Sequence, residues 1–334
     1  MTERAKKYSA IITAVERFLP EKVLDNFDLE KIVATSNEWI LERTGIRERR
    51  ILEDEPTSFM AVEGARKILE RRQLDPAEID LIIVATITPD MFFPSTACLV
   101  QHRIGATNAW GYDLAAACSG FVYAVVAGAQ FIENGAHRKV LVIGADKMSA
   151  IIDYTDRNTC ILFGDGAGGV LLERSDDPEA GLVDFEFHAD GSGAECLNMK
   201  GGGSLHPASH ETVDQRLHYV YQEGRSVFKF AVARMTEVSA SLLERNGLTG
   251  EDLKLFVPHQ ANLRIIGAAA QRMKLPPEKV MINIEKYANT TAGTIPIALS
   301  EGCDQGRLEE GDLMMMAGVG GGYTWGSALF RWVK

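Results

Sequence analysis

One segment occurs twice in the chain, first as Ile68-Leu-Glu-Arg-Arg-Gln-Leu-Asp-Pro-Ala-Glu-Ile-Asp-Leu-Ile-Ile-Val84. It returns 174 residues later as Leu242-Leu-Glu-Arg-Asn-Gly-Leu-Thr-Gly-Glu-Asp-Leu-Lys-Leu-Phe-Val-Pro258. Each copy has the pattern of an amphipathic helix, a short acidic turn and an apolar strand, which is one step of an α/β layer. The repeat predicts an α/β chain of two like halves, residues 1–178 and 179–334, which meet near the Ser-Asp-Asp-Pro sequence at 175–178.

The later parts of the two copies predict how the layers are stacked. Residues 119–134 are apolar at almost every position, and a helix of that kind must be covered on all sides. A similar apolar run follows Thr291 in the second half. We therefore expect two central buried helices between two sheets, with further helices outside, in a five-layer α-β-α-β-α arrangement.

A cysteine stands where the first central helix begins, in Asp113-Leu-Ala-Ala-Ala-Cys118-Ser-Gly-Phe121. Free backbone N–H groups and the positive end of the helix dipole favour a thiolate there and can hold an oxyanion. The alternative is a small buried hydrophobic residue, which is the usual state of a free cysteine. Position at an apolar helix start makes Cys118 a candidate nucleophile.

Two further segments carry polar groups at comparable places, Val257-Pro-His259-Gln-Ala-Asn262 and Asn289-Thr-Thr-Ala-Gly-Thr-Ile-Pro296. His259 follows a buried strand, where loops carry function, although a core histidine is the alternative. Aligning the glycines that end the two central helices gives an offset of 171 and places Cys118 over Asn289. We expect Cys118, His259 and Asn289 to share one pocket.

Two glycine-rich segments have different interpretations. Gly164-Asp-Gly166-Ala-Gly-Gly169 matches a dinucleotide-binding pattern, but strand-like residues follow it, so it predicts a hairpin turn. Gly318-Val-Gly320-Gly-Gly322 predicts either a tight turn or close approach of the backbone to a ligand.

Composition excludes several classes of function. The net charge of −11 argues against nonspecific binding of nucleic acid or anionic membranes. The longest apolar stretch, residues 121–132, is too short to span a bilayer. Five scattered cysteines predict reduced thiols in a cytoplasmic protein, and no His or Cys spacing is typical of a metal site.

These motifs resemble those of the thiolase-fold condensing enzymes, most closely the 3-oxoacyl-[acyl-carrier-protein] synthase III family. The resemblance runs from Thr35-Ser-Asn-Glu-Trp39-Ile-Leu-Glu-Arg43 to Tyr323-Thr-Trp-Gly-Ser-Ala-Leu-Phe-Arg331, essentially the whole chain. It implies an acyltransferase that condenses an acyl-CoA primer with malonyl acyl carrier protein (malonyl-ACP) and so initiates type II fatty-acid synthesis. It also implies a homodimer that needs no cofactor beyond the coenzyme A thioester of its substrate.

The resemblance assigns roles to individual residues. Cys118 becomes the acylated nucleophile, His259 and Asn289 bind a thioester carbonyl, and the backbone N–H groups of Cys118 and Gly321 form the oxyanion hole. Residues expected to contact acyl-CoA are Trp39, Arg43 and Arg157 at its adenine end and Phe228 at the tunnel entrance. Phe93 is expected to reach across the dimer interface to the acyl pocket, and its large ring suggests a short primer. Residues expected to bind the carrier protein are Lys229, Arg264, Arg272 and Lys274.

Departures from the family pattern leave the acyl group open. The family commonly has Gly-Asn-Thr-Ser-Ala-Ala-Ser where this chain has Ala288-Asn289-Thr-Thr-Ala-Gly-Thr294, and an asparagine where this chain has Arg225. A related condensing or acyl-transfer enzyme of secondary metabolism is the main alternative. A thiolase lacks support because its second cysteine is absent from the C-terminal glycine loop, and the remaining alternatives are a Cys-His-Asn hydrolase and a noncatalytic acyl-binding protein.

Overall fold

A computed structural model describes residues 6–333; residues 1–5 and 334, at the outer ends of the two predicted halves, lie outside the described residues. The strands are β1 (Ser9–Phe18), β2 (Val23–Asp25), β3 (Glu48–Arg50), β4 (Leu81–Ala85), β5 (Trp110–Leu114), β6 (Lys139–Lys147), β7 (Asp165–Ser175), β8 (Gly181–Ala189), β9 (Leu197–Asn198), β10 (Tyr221–Gln222), β11 (Leu253–Pro258), β12 (Leu313–Gly320) and β13 (Thr324–Arg331). The helices are α1 (Asn26–Glu30), α2 (Asn37–Thr44), α3 (Thr57–Arg72), α4 (Thr96–Ile104), α5 (Gly120–Glu133), α6 (His210–Asp214), α7 (Gly224–Arg245), α8 (Leu263–Arg272), α9 (Ile284–Tyr287) and α10 (Thr294–Asp304).

The two large sheets have the same topology. The first has the strand order β1-β7-β6-β4-β5, and the second, taken in the corresponding direction, has β8-β13-β12-β11. In each, a parallel pair (β4 with β6, β11 with β12) is followed by antiparallel strands, and the first sheet has a second parallel pair, β4 with β5. The duplicated α/β architecture predicted from the repeat is therefore confirmed, with one strand fewer in the second half.

The hydrophobic core explains the five layers. One buried cluster joins α5 and α10 to the facing sides of both sheets, with Phe121 and Ile295 fully buried in it. A second cluster packs α3 and α4 on the outer side of the first sheet, and a third packs α7 and α8 on the outer side of the second. Helices that are apolar all round thus lie in the centre, and the predicted α-β-α-β-α arrangement is confirmed.

The two central helices differ in length, which corrects one alignment. Ala117 (φ +46°) and Thr291 (φ +52°) occupy matching left-handed positions just before α5 and α10, and they are 174 residues apart. The helix α10 has 11 residues and α5 has 14, so α10 is three residues shorter. The offset between corresponding residues of the two halves is therefore 174 before the helices and falls to 171 only after them. Cys118 therefore corresponds to Ala292, and the prediction that it lies over Asn289 is wrong.

The first glycine-rich segment is not a turn. β7 begins at Asp165 and continues for 11 residues, so the predicted hairpin at Gly164–169 is wrong. A Cβ at Gly168 would lie 2.9 Å from the backbone nitrogen of Ile297, and one at Gly169 would lie 2.5 Å from the carbonyl oxygen of Val142. These glycines let α10 and β6 pack directly against the β7 backbone.

The connection between the two sheets is short. The chain enters the first sheet through β1, which pairs antiparallel with β7. The chain leaves the first sheet at Ser175 and enters the second at Gly181. Within residues 6–333, no helix has both the length and the apolar character needed to cross a membrane.

Candidate active site

The cysteine turn lies between β5 and α5. Residues 117–119 form a single 3-10 turn that leads directly into the helix, and Ala117 takes a positive φ to make the sharp reversal. Ser119 donates its hydroxyl to the carbonyl of Ala116 at 2.8 Å and lies 2.6 Å from the hydroxyl of Thr324 at the start of β13. The turn is thus tied to the glycine loop that joins β12 and β13, and Cys118 is buried, with 8% of its surface exposed.

The glycine loop lies against the backbone of this turn. A Cβ at Gly320 would lie 2.7 Å from the carbonyl oxygen of Ala116 and 2.8 Å from the nitrogen of Cys118. At Gly321 a Cβ would make only ordinary contacts, the nearest at 3.5 Å from Leu197. Of the two interpretations of this segment, the tight turn is observed at residues 321–323, between β12 and β13. Gly320 makes a close backbone approach, but to the cysteine turn, whereas Gly321 lines the open cavity beside it.

Asn289 is oriented by its own backbone neighbours. Its N–H donates to the carbonyl of Leu162 at 3.0 Å, and its carbonyl accepts from the N–H of Gly164 at 3.1 Å. Its side-chain oxygen Oδ1 accepts from the N–H of Thr291 at 2.8 Å. This leaves the amide nitrogen Nδ2 as the donor in the hydrogen bond to the Cys118 sulfur.

His259 follows β11 and is fixed on one side of its ring. Its backbone N–H donates to the carbonyl of Ala317 on β12 at 2.8 Å. Its ring nitrogen Nδ1 lies 2.6 Å from the hydroxyl of Thr294. Its Nε2 has no hydrogen-bond partner among the described residues. Burial lowers the pKa of the imidazole from 6.5 to about 3, so the ring is neutral at physiological pH.

The ionisation of Cys118 differs from the expectation. A helix start was expected to favour the thiolate, but burial, with a smaller contribution from the negative charge of Asp146, raises the pKa of this thiol to about 12. Hydrogen bonds from the Asn289 side chain and from a backbone N–H oppose that shift and do not overcome it. Desolvation of an anion in an enclosed cavity is the larger effect here, so the thiol is the resting form.

Asp146 was not found by sequence reasoning. Its carboxylate is fully buried at the end of β6, where Oδ1 accepts from the hydroxyls of Thr86 and Thr88, while Oδ2 accepts from the N–H of Ala292 at 3.1 Å. Burial raises its pKa to about 6. The position gave no signal in the sequence because a single acidic residue at a strand end is common.

One cavity of about 1350 Å³ brings most of the predicted residues together. Its lining includes Cys118, His259, Asn289, Gly321, Trp39, Arg43, Phe228, Lys229 and Arg264. The cavity is therefore large enough for an extended ligand, and its lining combines the three chemical side chains with basic ones.

Two of the basic residues enclose an indole. The guanidinium of Arg43 lies 4.6 Å from the ring centre of Trp39, and that of Arg157 lies 5.1 Å from it. Arg157 also donates to the carbonyl of Ala34 at 2.9 Å and does not itself line the cavity. An indole with two guanidinium groups beside it offers a surface on which a purine can bind.

The four predicted carrier-protein contacts are not equivalent. Arg264 begins α8 and lies 4.8 Å from the ring centre of Phe228 at the cavity wall, near Lys229 on α7. Arg272 stands at the other end of α8, about 12 Å away along the helix axis, and forms an ion pair with Glu244 at 2.9 Å. Lys274 follows the helix in an exposed left-handed position. Only Arg264 and Lys229 line the cavity.

Phe93 lies apart from the cavity. It is 84% exposed, in a loop with the exposed side chains of Met91 and Phe92, and a cis peptide bond joins it to Pro94. It makes no contribution to the cavity lining within this chain.

Comparison with known proteins identifies the class. The 3-oxoacyl-[acyl-carrier-protein] synthase III model matches residues 112–191, and the model of that family's C-terminal part matches residues 243–332. A β-ketoacyl-[acyl-carrier-protein] synthase III of Koribacter versatilis is 56% identical over 325 residues, which cover 97% of this chain and 98% of the relative.

Solved structures give the same result. The crystal structure of 3-oxoacyl-[acyl-carrier-protein] synthase III from Aquifex aeolicus superposes with a TM-score of 0.88 at 46% identity, covering 97% of this chain and all of that one. The priming β-ketosynthase of the R1128 polyketide pathway superposes with a TM-score of 0.90 at 34% identity, covering 100% and 99%.

The duplicated five-layer fold, with a cysteine at the first central helix, is that of the thiolase-fold condensing enzymes. Within that class, the chain belongs to the 3-oxoacyl-[acyl-carrier-protein] synthase III family.

Proposed function

We propose that the chain condenses an acyl-CoA primer with malonyl-ACP to give 3-oxoacyl-ACP, the initiating step of type II fatty-acid synthesis. The observation that carries this proposal is the convergence of Cys118, His259 and Asn289 in one cavity. Two of these side chains can donate hydrogen bonds into it while uncharged, because Thr291 fixes the amide of Asn289 and burial keeps His259 neutral. A nucleophile facing two neutral donors suits chemistry at a thioester carbonyl.

In the first half-reaction, the sulfur of Cys118 attacks the carbonyl carbon of the acyl-CoA thioester. A carbon–sulfur bond forms between the acyl group and Cys118, and the bond between the acyl group and the coenzyme A sulfur breaks. The proton of the Cys118 thiol is transferred to the sulfur of the departing coenzyme A. The backbone N–H groups of Cys118 and Gly321 hold the tetrahedral oxyanion, and each such donor contributes about 3 to 4 kcal/mol to the transition state. Close packing at Gly320 supports this step, because it brings the glycine loop against the cysteine turn.

In the second half-reaction, malonyl-ACP occupies the place that coenzyme A leaves. Loss of carbon dioxide puts the electron pair of the broken bond onto the thioester as an enolate. His259 Nε2–H and Asn289 Nδ2–H donate to its oxygen, and the enolate carbon then attacks the carbonyl carbon of the acyl group on Cys118. A carbon–carbon bond forms, the carbon–sulfur bond to Cys118 breaks, and the Cys118 sulfur leaves as a thiolate that takes a proton from solvent. Decarboxylation supplies the carbanion, so no carboxylate base is required.

The cavity supports a coenzyme A site that leads to the cysteine. Trp39, with Arg43 and Arg157 beside it, offers the adenine a stacking surface, and Phe228 lines the path inward. The coenzyme A thioester is the substrate, and the proposed reaction uses no further cofactor.

The carrier protein is expected to dock near Arg264 and Lys229. The chain is acidic overall, with 46 acidic and 35 basic residues, so local positive charge at the cavity entrance favours an acidic partner. Arg272 and Lys274 extend this basic surface, although Glu244 already pairs with Arg272.

We further infer a homodimer in the cytoplasm. Phe93 and its neighbours form an exposed apolar loop that a second copy could cover, which would bring Phe93 to the partner's acyl pocket. The overall negative charge gives no support to nucleic-acid or membrane partners.

Intact-mass measurement after incubation with a mixed acyl-CoA pool tests the mechanism and identifies the primer. The wild type should gain the mass of one acyl group, Cys118→Ser should gain none, and the matched control Cys98→Ser, at an exposed cysteine, should behave as the wild type. Addition of malonyl-ACP should then remove the adduct and yield 3-oxoacyl-ACP. Release of free acid would indicate a hydrolase, and condensation without acylation of Cys118 would overturn the mechanism.

A second candidate is the priming condensation of a secondary pathway, favoured by the likeness to the R1128 priming β-ketosynthase. Both reactions pass through the same acyl-cysteine. Competition between malonyl carrier proteins from a fatty-acid and a polyketide system separates them, because each reaction should prefer its own acceptor in kcat/KM.

A further inference from the structure

Thr294 is the side chain that contacts the far side of the His259 ring. It is the first residue of α10 and is 2% exposed, and its hydroxyl oxygen lies 2.6 Å from Nδ1. The opposite ring nitrogen, Nε2, is buried and has no partner among the described residues. The ring therefore has one satisfied edge inside the protein and one edge free for a ligand in the cavity.

The direction of the Thr294 hydrogen bond decides what Nε2 can do. A neutral imidazole carries one proton, on Nδ1 or on Nε2. If Nδ1–H donates to the Thr294 oxygen, Nε2 presents a lone pair and repels a carbonyl oxygen. If the Thr294 hydroxyl donates to Nδ1, the ring proton is on Nε2 and can be donated into the cavity.

The hydroxyl proton of Thr294 has two acceptors within reach. One is Nδ1 at 2.6 Å, and the other is the carbonyl of Thr291 at 3.2 Å. That carbonyl already accepts the backbone N–H of Thr294, so it is satisfied without the hydroxyl. Among the residues that the structure describes, Nδ1 has no other donor, and its distance to the hydroxyl is the shorter of the two.

We propose that Thr294 is a positioning residue that donates to Nδ1 and thereby holds His259 as the Nε2–H tautomer. The inference rests on the proposed function and deepens it, because it assigns His259 the role of a hydrogen-bond donor to the thioester oxygen and excludes a role as base. Thr294 contacts no substrate and acts through the imidazole. Its effect belongs to the condensation half-reaction, since attack by Cys118 on acyl-CoA does not require this donor.

The test compares Thr294→Val, Thr294→Ser and the control Thr290→Val. Valine keeps the shape of threonine and removes the hydroxyl. Serine keeps the hydroxyl. Thr290 lies in the same buried turn, does not line the cavity, and its hydroxyl has no partner among the described residues, so its replacement matches the change without breaking a hydrogen bond.

Acyl loading is followed by intact mass, and decarboxylation of malonyl-ACP by release of carbon dioxide. Thr294→Val should slow condensation and decarboxylation at least tenfold, toward the roughly 100-fold or more that loss of one oxyanion donor costs, with acyl loading within about twofold of wild type. Thr294→Ser should stay within about threefold, and Thr290→Val should match the wild type. An equal loss in both half-reactions, or none in condensation, overturns the proposal.

Nitrogen-15 NMR of histidine-labelled wild-type protein reads the tautomer without any assay of activity. The proton is expected on Nε2 of His259, and a proton on Nδ1 overturns the proposal. If the wild type is never acylated, the proposed function fails, whereas the NMR result still decides the tautomer.

Discussion

The neutral state of His259 makes the fold sensitive to acid. Burial lowers the pKa of its imidazole from 6.5 to about 3, so between these values the unfolded chain binds one proton that the folded chain does not. The free energy of unfolding therefore rises with pH by about 1.4 kcal/mol per unit in this window. Acidification from pH 6.5 to 5 is expected to destabilise the folded chain by about 2 kcal/mol through this one side chain.

Urea-induced unfolding of the wild type and His259→Gln, at about pH 7 and about pH 5, measures this contribution. Glutamine does not titrate, so the loss of unfolding free energy on acidification should be about 2 kcal/mol smaller in the variant. The matched control for removing an imidazole is His210→Gln at an exposed position. Equal losses in the wild type and His259→Gln would show that His259 accepts a proton in the folded chain and would refute the argument.

Titration of Asp146 does not affect the comparison between the wild type and His259→Gln. Burial raises its pKa from 3.8 to about 6, so its contribution to stability is fully present below about pH 3.8 and is lost as the pH rises through about 6. That dependence has the opposite sign to the one expected from His259. Because both proteins carry Asp146, its contribution cancels in the difference.

Three further predictions follow from the cavity. Gly320→Ala should lower activity about 100-fold and the free energy of unfolding by about 1 to 3 kcal/mol, because its Cβ would meet backbone atoms of the cysteine turn. The control Gly64→Ala, with nothing within 4 Å of the new Cβ, should not destabilise the protein in the same thermal melts. Trp39→Ala should raise KM for acyl-CoA about tenfold and leave kcat near the wild-type value, and an unchanged KM in steady-state assays would contradict adenine stacking. Arg264→Glu should raise KM for malonyl-ACP about tenfold at low salt without changing acyl loading. Arg272→Glu should raise this KM less, because Arg272 already has an acidic partner. Equal increases in KM for the two variants would contradict the docking site.

The framework could be predicted from the sequence because the repeat and the all-round apolar helices are local patterns. The sequence also indicated that Cys118, His259 and Asn289 share a pocket, since each follows a predicted strand or begins a predicted helix. Glycines were less informative. Gly168 is required by close packing inside β7, but a tight turn requires glycine as well. The local sequence therefore does not distinguish a glycine inside a strand from one in a hairpin.

Properties that depend on packing could not be predicted. The state of the Cys118 thiol is set by how completely its surroundings exclude water, and the helix start alone predicted the opposite direction. The partner of His259 is 35 residues away in sequence, at the start of a helix that was predicted without any polar role. Thr294 gave no signal because a threonine near a helix start is ordinarily read as a contribution to the helix end itself.

Asn289 lies where the repeat breaks. At the offset of 174, strand β5 corresponds to residues 284–288, but the second half has the one-turn helix α9 there. Asn289 follows it and pairs its backbone with Leu162 and Gly164 of the first half, a contact with no counterpart before Cys118. The equivalent of Cys118 is Ala292, whose N–H binds Asp146. In place of a fifth strand, the second half therefore has a segment that the first half holds by backbone hydrogen bonds, and from this segment Asn289 supplies a hydrogen-bond donor to the site.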